Sequence, residues 1–150
     1  MSFFFGHPQN EQKIIVLPFP DKVIGDEGGL RAGDFNNDGY EDIVVIAPLY
    51  RNPENVLTGC LLIYPGSKTG LDKIPEVLIE GSFPGTIRGI ASCTTGDFNS
   101  DGYDDLVLGN NLYGEPQLDQ GYIQLHFGSS VGIRKRPELI MRGATRYGSY

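Results

Sequence analysis

The sequence predicts an all-β chain of four-stranded antiparallel sheets, and three observations predict it. Short runs rich in Ile, Val, Leu, Tyr and Phe are bounded by Gly, Pro, Asn and Asp, as strands are by turns. No stretch of ten or more residues carries a convincing 3.6-residue apolar period, so helix content should be low. The chain also repeats itself at a spacing of 62 to 63 residues, and a fixed period of self-similarity marks an array of like units.

The repeat can be followed residue by residue. Gly33-Asp34-Phe35-Asn36-Asn37-Asp38-Gly39-Tyr40-Glu41-Asp42-Ile43-Val44-Val45 recurs as Gly96-Asp97-Phe98-Asn99-Ser100-Asp101-Gly102-Tyr103-Asp104-Asp105-Leu106-Val107-Leu108, 63 residues on. At a shift of 62, Gly59 to Ser67 matches Gly121 to Ser129, and Pro75 to Gly81 matches Pro137 to Gly143. In the first unit, strands are expected near Val23 to Arg31, Ile43 to Ala47, Cys60 to Tyr64 and Glu76 to Ile79. In the second they fall at Ile87 to Thr94, Leu106 to Gly109, Tyr122 to Phe127 and Glu138 to Met141. Ile123, Leu125 and Phe127 alternate with other residues, as on a half-buried strand. Ile43 to Ile46 and Leu106 to Leu108 are continuously apolar, as in strands covered on both faces.

Four-stranded units at this period read as blades of a β-propeller. The expected division is residues 1–21 as the outer strands of a partial blade, 22–84 and 85–145 as complete blades, and 146–150 as the start of another. About two and a half blades are fewer than the roughly four to eight that close a ring. Completion by self-association or by a larger propeller is therefore expected.

Composition narrows the partners. Of 150 residues, 39% are apolar and 21% charged, the balance of a globular chain. Twelve Lys and Arg against nineteen Asp and Glu give a formal charge of -7, which repels nucleic acid and anionic lipid and favours cations. No run approaches the roughly 20 apolar residues of a bilayer-spanning helix, so membrane insertion is not expected. Phe3-Phe4-Phe5 is too short for the apolar core of a secretion signal. Cys60 and Cys93 are too few for a disulfide framework, and their pairing stays open.

The chemistry lies in the loops. Counting from Asp34, side-chain oxygens fall at position 1 (Asp34), 3 (Asn36), 5 (Asp38) and 9 (Asp42), with the Tyr40 carbonyl at 7 and Gly39 as the pivot at 6. The second loop repeats the set with Asp97, Asn99, Asp101, the Tyr103 carbonyl and Asp105, pivoting on Gly102. Calcium takes six to eight oxygens at about 2.3 to 2.6 Å, and three carboxylates, an amide and a carbonyl nearly complete that shell. Magnesium prefers a tighter octahedron and keeps its waters. The bland alternative is an acidic turn that binds nothing, since Asn, Asp and Gly dominate turns. Two loops with one spacing count against it.

An EF-hand is excluded because position 12 is Val45 or Leu108 rather than a bidentate Glu. A dockerin module is disfavoured because strand formers follow both loops. Each loop gathers three carboxylates, with Glu41 or Asp104 as a fourth nearby, so without a cation it repels itself. Two calcium ions would take the formal charge from -7 to -3, and a closed cage leaves little room for substrate. The metal is expected to be structural.

Gly33 to Asp42 and its second copy resemble the calcium loop of FG-GAP repeats, the blades of integrin α-subunit propellers. Tyr147-Gly148-Ser149 is similar to the Phe-Gly element that opens such a repeat, while the closing Gly-Ala-Pro element is reduced to Ala47-Pro48 in the first unit and is Asn110-Asn111 in the second. The resemblance implies a β-propeller with calcium between the first two strands of a blade, adhesion or ligand binding on a propeller face, and an extracellular or cell-surface location. It implies no particular ligand.

Other candidates are weak. His7 and His126 form no catalytic or zinc-type pair; His126 reads as a solvated or blade-interface residue. Tyr40 and Tyr103 recur at matched positions, which favours packing over sugar binding. Arg134-Lys135-Arg136 reads as a solvated loop, and Ser67, Ser129 and Ser130 as turn residues. Two function classes remain: a non-catalytic module binding protein or carbohydrate, and an accessory part of a hydrolase or lyase whose catalytic residues lie elsewhere.

Overall fold

Eight strands account for the regular structure in a computed structural model that describes residues 29–47, 50–56, 58–72, 74–75, 77–80, 90–110 and 121–142. The first sheet runs β1 (Leu30–Gly33), β2 (Asp42–Ala47), β3 (Cys60–Tyr64) and β4 (Val77–Glu80). The second runs β5 (Ile90–Gly96), β6 (Asp105–Asn110), β7 (Tyr122–His126) and β8 (Leu139–Arg142). Each is a four-stranded antiparallel meander with neighbouring strands consecutive in sequence. No helix occurs among the described residues. The architecture is all-β and consistent with part of a propeller. The expected segments 1–21 and 146–150 lie outside the described residues.

Most strands fall within a residue of expectation; β1 and β5 do not. Both run on to the glycine before the loop, because Gly33 pairs with Asp42 and Gly96 with Asp105 across the first hairpin of each sheet. The oxygen-bearing segments 34–41 and 97–104 are thus hairpin connections whose ends the ladder fixes. Residues 23–28 and 87–89, where the first strands were expected to begin, lie outside the described residues.

The two sheets meet along an apolar seam. Val44 and Ile46 of β2 and Leu61 and Ile63 of β3 cluster with Cys93 of β5, Leu106 and Leu108 of β6, Ile133 and Phe35. The opposite face of the first sheet carries Val45, Ala47, Cys60, Leu62 and Tyr64, with Ile43, Tyr50 and Leu71 packed against them. That the two faces carry alternate residues follows from the two-residue period of a strand. A fully buried Leu such as Leu61 contributes about 1.5 to 3 kcal/mol relative to exposure. Polar contacts stitch β1 to β5: Thr95 Oγ1 donates to the Ala32 carbonyl at 2.6 Å, and Arg31 Nε to the Cys93 carbonyl at 2.6 Å.

Cys60 and Cys93 are both buried, lie in different clusters and form no disulfide. The continuously apolar β2 is covered on both faces, as its pattern predicts. β6 differs: Leu106 and Leu108 are buried, whereas Val107 on the other face is only half-buried. On that face Ile123, Leu139 and Met141 are exposed.

The repeat makes one pair of residues a direct comparison. Phe35 is 0% exposed in the seam, while its counterpart Phe98 is 54% exposed. Phe35→Ala should lower unfolding free energy by about 3 to 5 kcal/mol, and Phe98→Ala by no more than about 0.5 kcal/mol. Urea denaturation of the two variants measures the difference.

Candidate metal loops

Each loop is a hairpin connection that turns on a glycine in the left-handed region, Gly39 at φ 86° and Gly102 at φ 90°. Residues with a Cβ rarely adopt that conformation. Asn37 and Ser100, at matched positions, also have positive φ, 55° and 61°, which asparagine tolerates better than most residues.

The turn gathers the first three oxygen-bearing side chains. Asp34 Oδ1 and Asn36 Oδ1 both accept from the Asp38 backbone N–H, each at 3.0 Å, so the two oxygens face one point. Asp34 Oδ2 accepts from Gly39 N–H at 2.8 Å, and Asp38 Oδ1 from Tyr40 N–H at 2.9 Å. The Asn36 amide donates to Asp38 Oδ2 at 3.0 Å. The second loop repeats these contacts with Asp97, Asn99 and Asp101: 3.1 and 3.0 Å to Asp101 N–H, 2.9 Å to Gly102 N–H, 3.0 Å from Tyr103 N–H and 2.9 Å for the amide.

The third carboxylate of each set is held differently. Asp42 is 3% exposed, and its oxygens accept from Phe35 N–H at 3.3 Å and Gly66 N–H at 2.8 Å. Asp105 is 0% exposed and accepts from Phe98 N–H at 3.0 Å and Gly128 N–H at 2.9 Å. Burial raises the Asp42 pKa; the N–H groups of Gly66 and Phe35 oppose the rise, and the charges of Asp38 and Asp34 add to it.

Gly66 and Gly128 were legible only as turn residues. A side chain at Gly66 would run into the Glu41 carbonyl and Tyr40 Cβ, and one at Gly128 into the Asp104 carbonyl and Tyr103 Cβ. Their signal was the Gly-Ser pair recurring after β3 and β7. The Cβ atoms of both tyrosines pack over these turns, while Tyr40 as a whole is 41% exposed and Tyr103 half-buried.

The donor set fits a hard cation: it is all oxygen, it is wrapped around a sharp turn, and each oxygen that accepts one N–H keeps a second lone pair. As placed, the Asn36 and Asn99 amides and the loop N–H groups supply the partial positive charge at these oxygens. No group of three His, Cys, Asp or Glu side chains stands in metal-holding proximity among the described residues; the side chains that hydrogen bonds bring together are two aspartates and an asparagine per loop.

Asp104 has a role that sequence reasoning missed. Expected as one more repelling carboxylate in its own loop, it reaches the other: Oδ2 accepts from Asp34 N–H at 3.0 Å, and its own N–H donates to the Asp34 carbonyl at 3.0 Å. Ser129 N–H donates to the Phe35 carbonyl at 3.1 Å alongside. Arg134, Lys135 and Arg136 are exposed, as expected of a solvated loop.

Residues 34–108 match the family model described as FG-GAP-like repeat. The chain is 30% identical to human integrin alpha-6 over 117 residues, covering 78% of this chain and 10% of that protein. It is 28% identical to mouse integrin alpha-7 over 159 aligned positions, covering 95% and 13%. Similarity to human phosphatidylinositol-glycan-specific phospholipase D is 32% over 146 positions, covering 87% and 17%. The chain thus spans at most 17% of the length of any of these three relatives.

His126 is buried rather than solvated: it is 1% exposed, with Nδ1 2.9 Å from the Arg134 carbonyl and no hydrogen-bond partner for Nε2 among the described residues. Burial lowers its pKa below the ordinary 6.5, against the opposing pull of the Arg134 carbonyl. The unfolded chain then binds the proton more tightly, so stability is fully present above pH 6.5 and declines as pH falls below it. Denaturation midpoints of the native chain and His126→Gln, taken from pH 7.5 to 5, should show the variant losing part of that decline.

Proposed function

The chain belongs to the FG-GAP-like repeat family, and from that premise we propose that it is a calcium-binding, non-catalytic β-propeller module for adhesion or for binding a protein or carbohydrate ligand. The observation that carries the reading is one oxygen-lined hairpin built twice, with the same hydrogen bonds at the same positions. Each complete blade holds one calcium ion, two per chain. Asp34, Asn36, Asp38, the Tyr40 carbonyl and Asp42 form one site; Asp97, Asn99, Asp101, the Tyr103 carbonyl and Asp105 form the other.

When bound, calcium supplies the charge that lets three carboxylates share one turn. The protein does the rest. Gly39 and Gly102 bend the backbone so that positions 1 to 5 face inward, and Asp42 and Asp105 tie the start of each loop to the turn after the third strand. The role is structural, and ligand contact falls to other loops. Similarity to integrin alpha-6 and alpha-7 supports an extracellular or cell-surface module, completed by self-association or within a larger propeller. No helix among the described residues is long and apolar enough to cross a membrane. A net charge of -7 disfavours nucleic acid.

Similarity to phosphatidylinositol-glycan-specific phospholipase D favours a second reading, an accessory propeller whose partner domain supplies the catalytic residues. Glycan or protein-ligand binding by this chain alone would favour the first.

Calcium at a hundredfold excess over its Kd should stabilise by about 2.7 kcal/mol per site, or roughly 2 to 4 °C of Tm for each kcal/mol. Asp34→Ala combined with Asp97→Ala should abolish the shift. A melting temperature that is the same in calcium and in chelator would overturn the structural role.

A further inference from the structure

We propose that the two loops bind calcium cooperatively and that Asp104 is the positioning residue that couples them; this rests on the calcium reading above. Asp104 stands between Tyr103, whose carbonyl is a ligand, and Asp105, whose carboxylate is another. A cation in the second loop therefore fixes the chain on both sides of Asp104. Its side chain and backbone in turn hold both backbone polar groups of Asp34, the first ligand of the other loop, through bonds of 3.0 Å in each direction.

Two further contacts join the loops. Asp105 holds Gly128 N–H at 2.9 Å, and the next residue, Ser129, donates to the Phe35 carbonyl at 3.1 Å. A Cβ on Gly102, the pivot of the second loop, would lie 3.3 Å from the Asn37 amide nitrogen of the first. Ordering the second loop thus orders the first two residues of the other, and a site already ordered forfeits less conformational freedom on binding. Repulsion between two bound cations opposes this, but the loops are exposed and salt screens it. Linkage makes the coupling reciprocal.

Calorimetric titration of the full chain with calcium tests the proposal. Asp101→Ala disables the second loop, and the Kd of the first should then rise about fivefold or more. In a chain already carrying Asp104→Ala, the same change should leave that Kd within about twofold. Asp104→Asn, which keeps an oxygen for Asp34 N–H, should restore the coupling. An unchanged first-loop Kd in Asp101→Ala overturns the proposal, as does coupling that survives Asp104→Ala or fails to return in Asp104→Asn. A wild-type chain that binds no calcium overturns both this proposal and the reading beneath it; one that binds two ions independently overturns this proposal alone. Should Asp104→Ala fail to fold, the Asp34 amide resonance in an Asp38→Ala chain decides. Calcium filling the second loop should move it, and an unmoved resonance sinks the coupling.

Discussion

The structure depends on a buried carboxylate at the head of each second strand. A carboxylate removed from water must find donors, or burial costs several kcal/mol. Asp42 and Asp105 find them in two backbone N–H groups, one at the start of the preceding loop and one in the turn after the third strand. Each such charge-assisted bond contributes about 1.5 to 3 kcal/mol. The two ends of the hairpin and the turn after the third strand are thereby pinned to one point. The close approach that results explains why Gly66 and Gly128 carry no side chain, and the fixed loop ends explain why the strands before them reach Gly33 and Gly96.

From that point outward the two units diverge. Within each sheet the loops are near copies, bond for bond. Between the sheets, the second loop and the turn after β7 reach back to Asp34 and Phe35. Phe35 is therefore sealed in the seam while Phe98, with the same neighbours in sequence, stands exposed.

Much of the fold and the loops was legible in the sequence, because both are local. Alternating or continuous apolar runs marked the strands, and oxygens at fixed intervals around a glycine marked the hairpin turns. What could not be read was relational. Asp104 lies beside its own loop in sequence, and nothing in its neighbours says that its carboxylate will meet the N–H of Asp34, seventy residues earlier. His126 shares a strand face with Gln124, yet His126 is fully buried where Gln124 is only half-buried. Gly66 and Gly128 look like ordinary turn glycines until the turn is seen against the loop. In each case the deciding fact was which surface faced which, and strand patterns do not encode the placement of whole sheets.

The handshake at Asp34 and Asp104 has a direction. Each unit carries an acid in the eighth position of its loop, Glu41 in one and Asp104 in the other, and an aspartate in the first; Asp104 is the one that reaches back to the first aspartate of the unit before it. Tandem duplication of such a gene segment copies plug and socket together. A lengthened array therefore inherits a ready-made joint, and evolution can change copy number without inventing a surface.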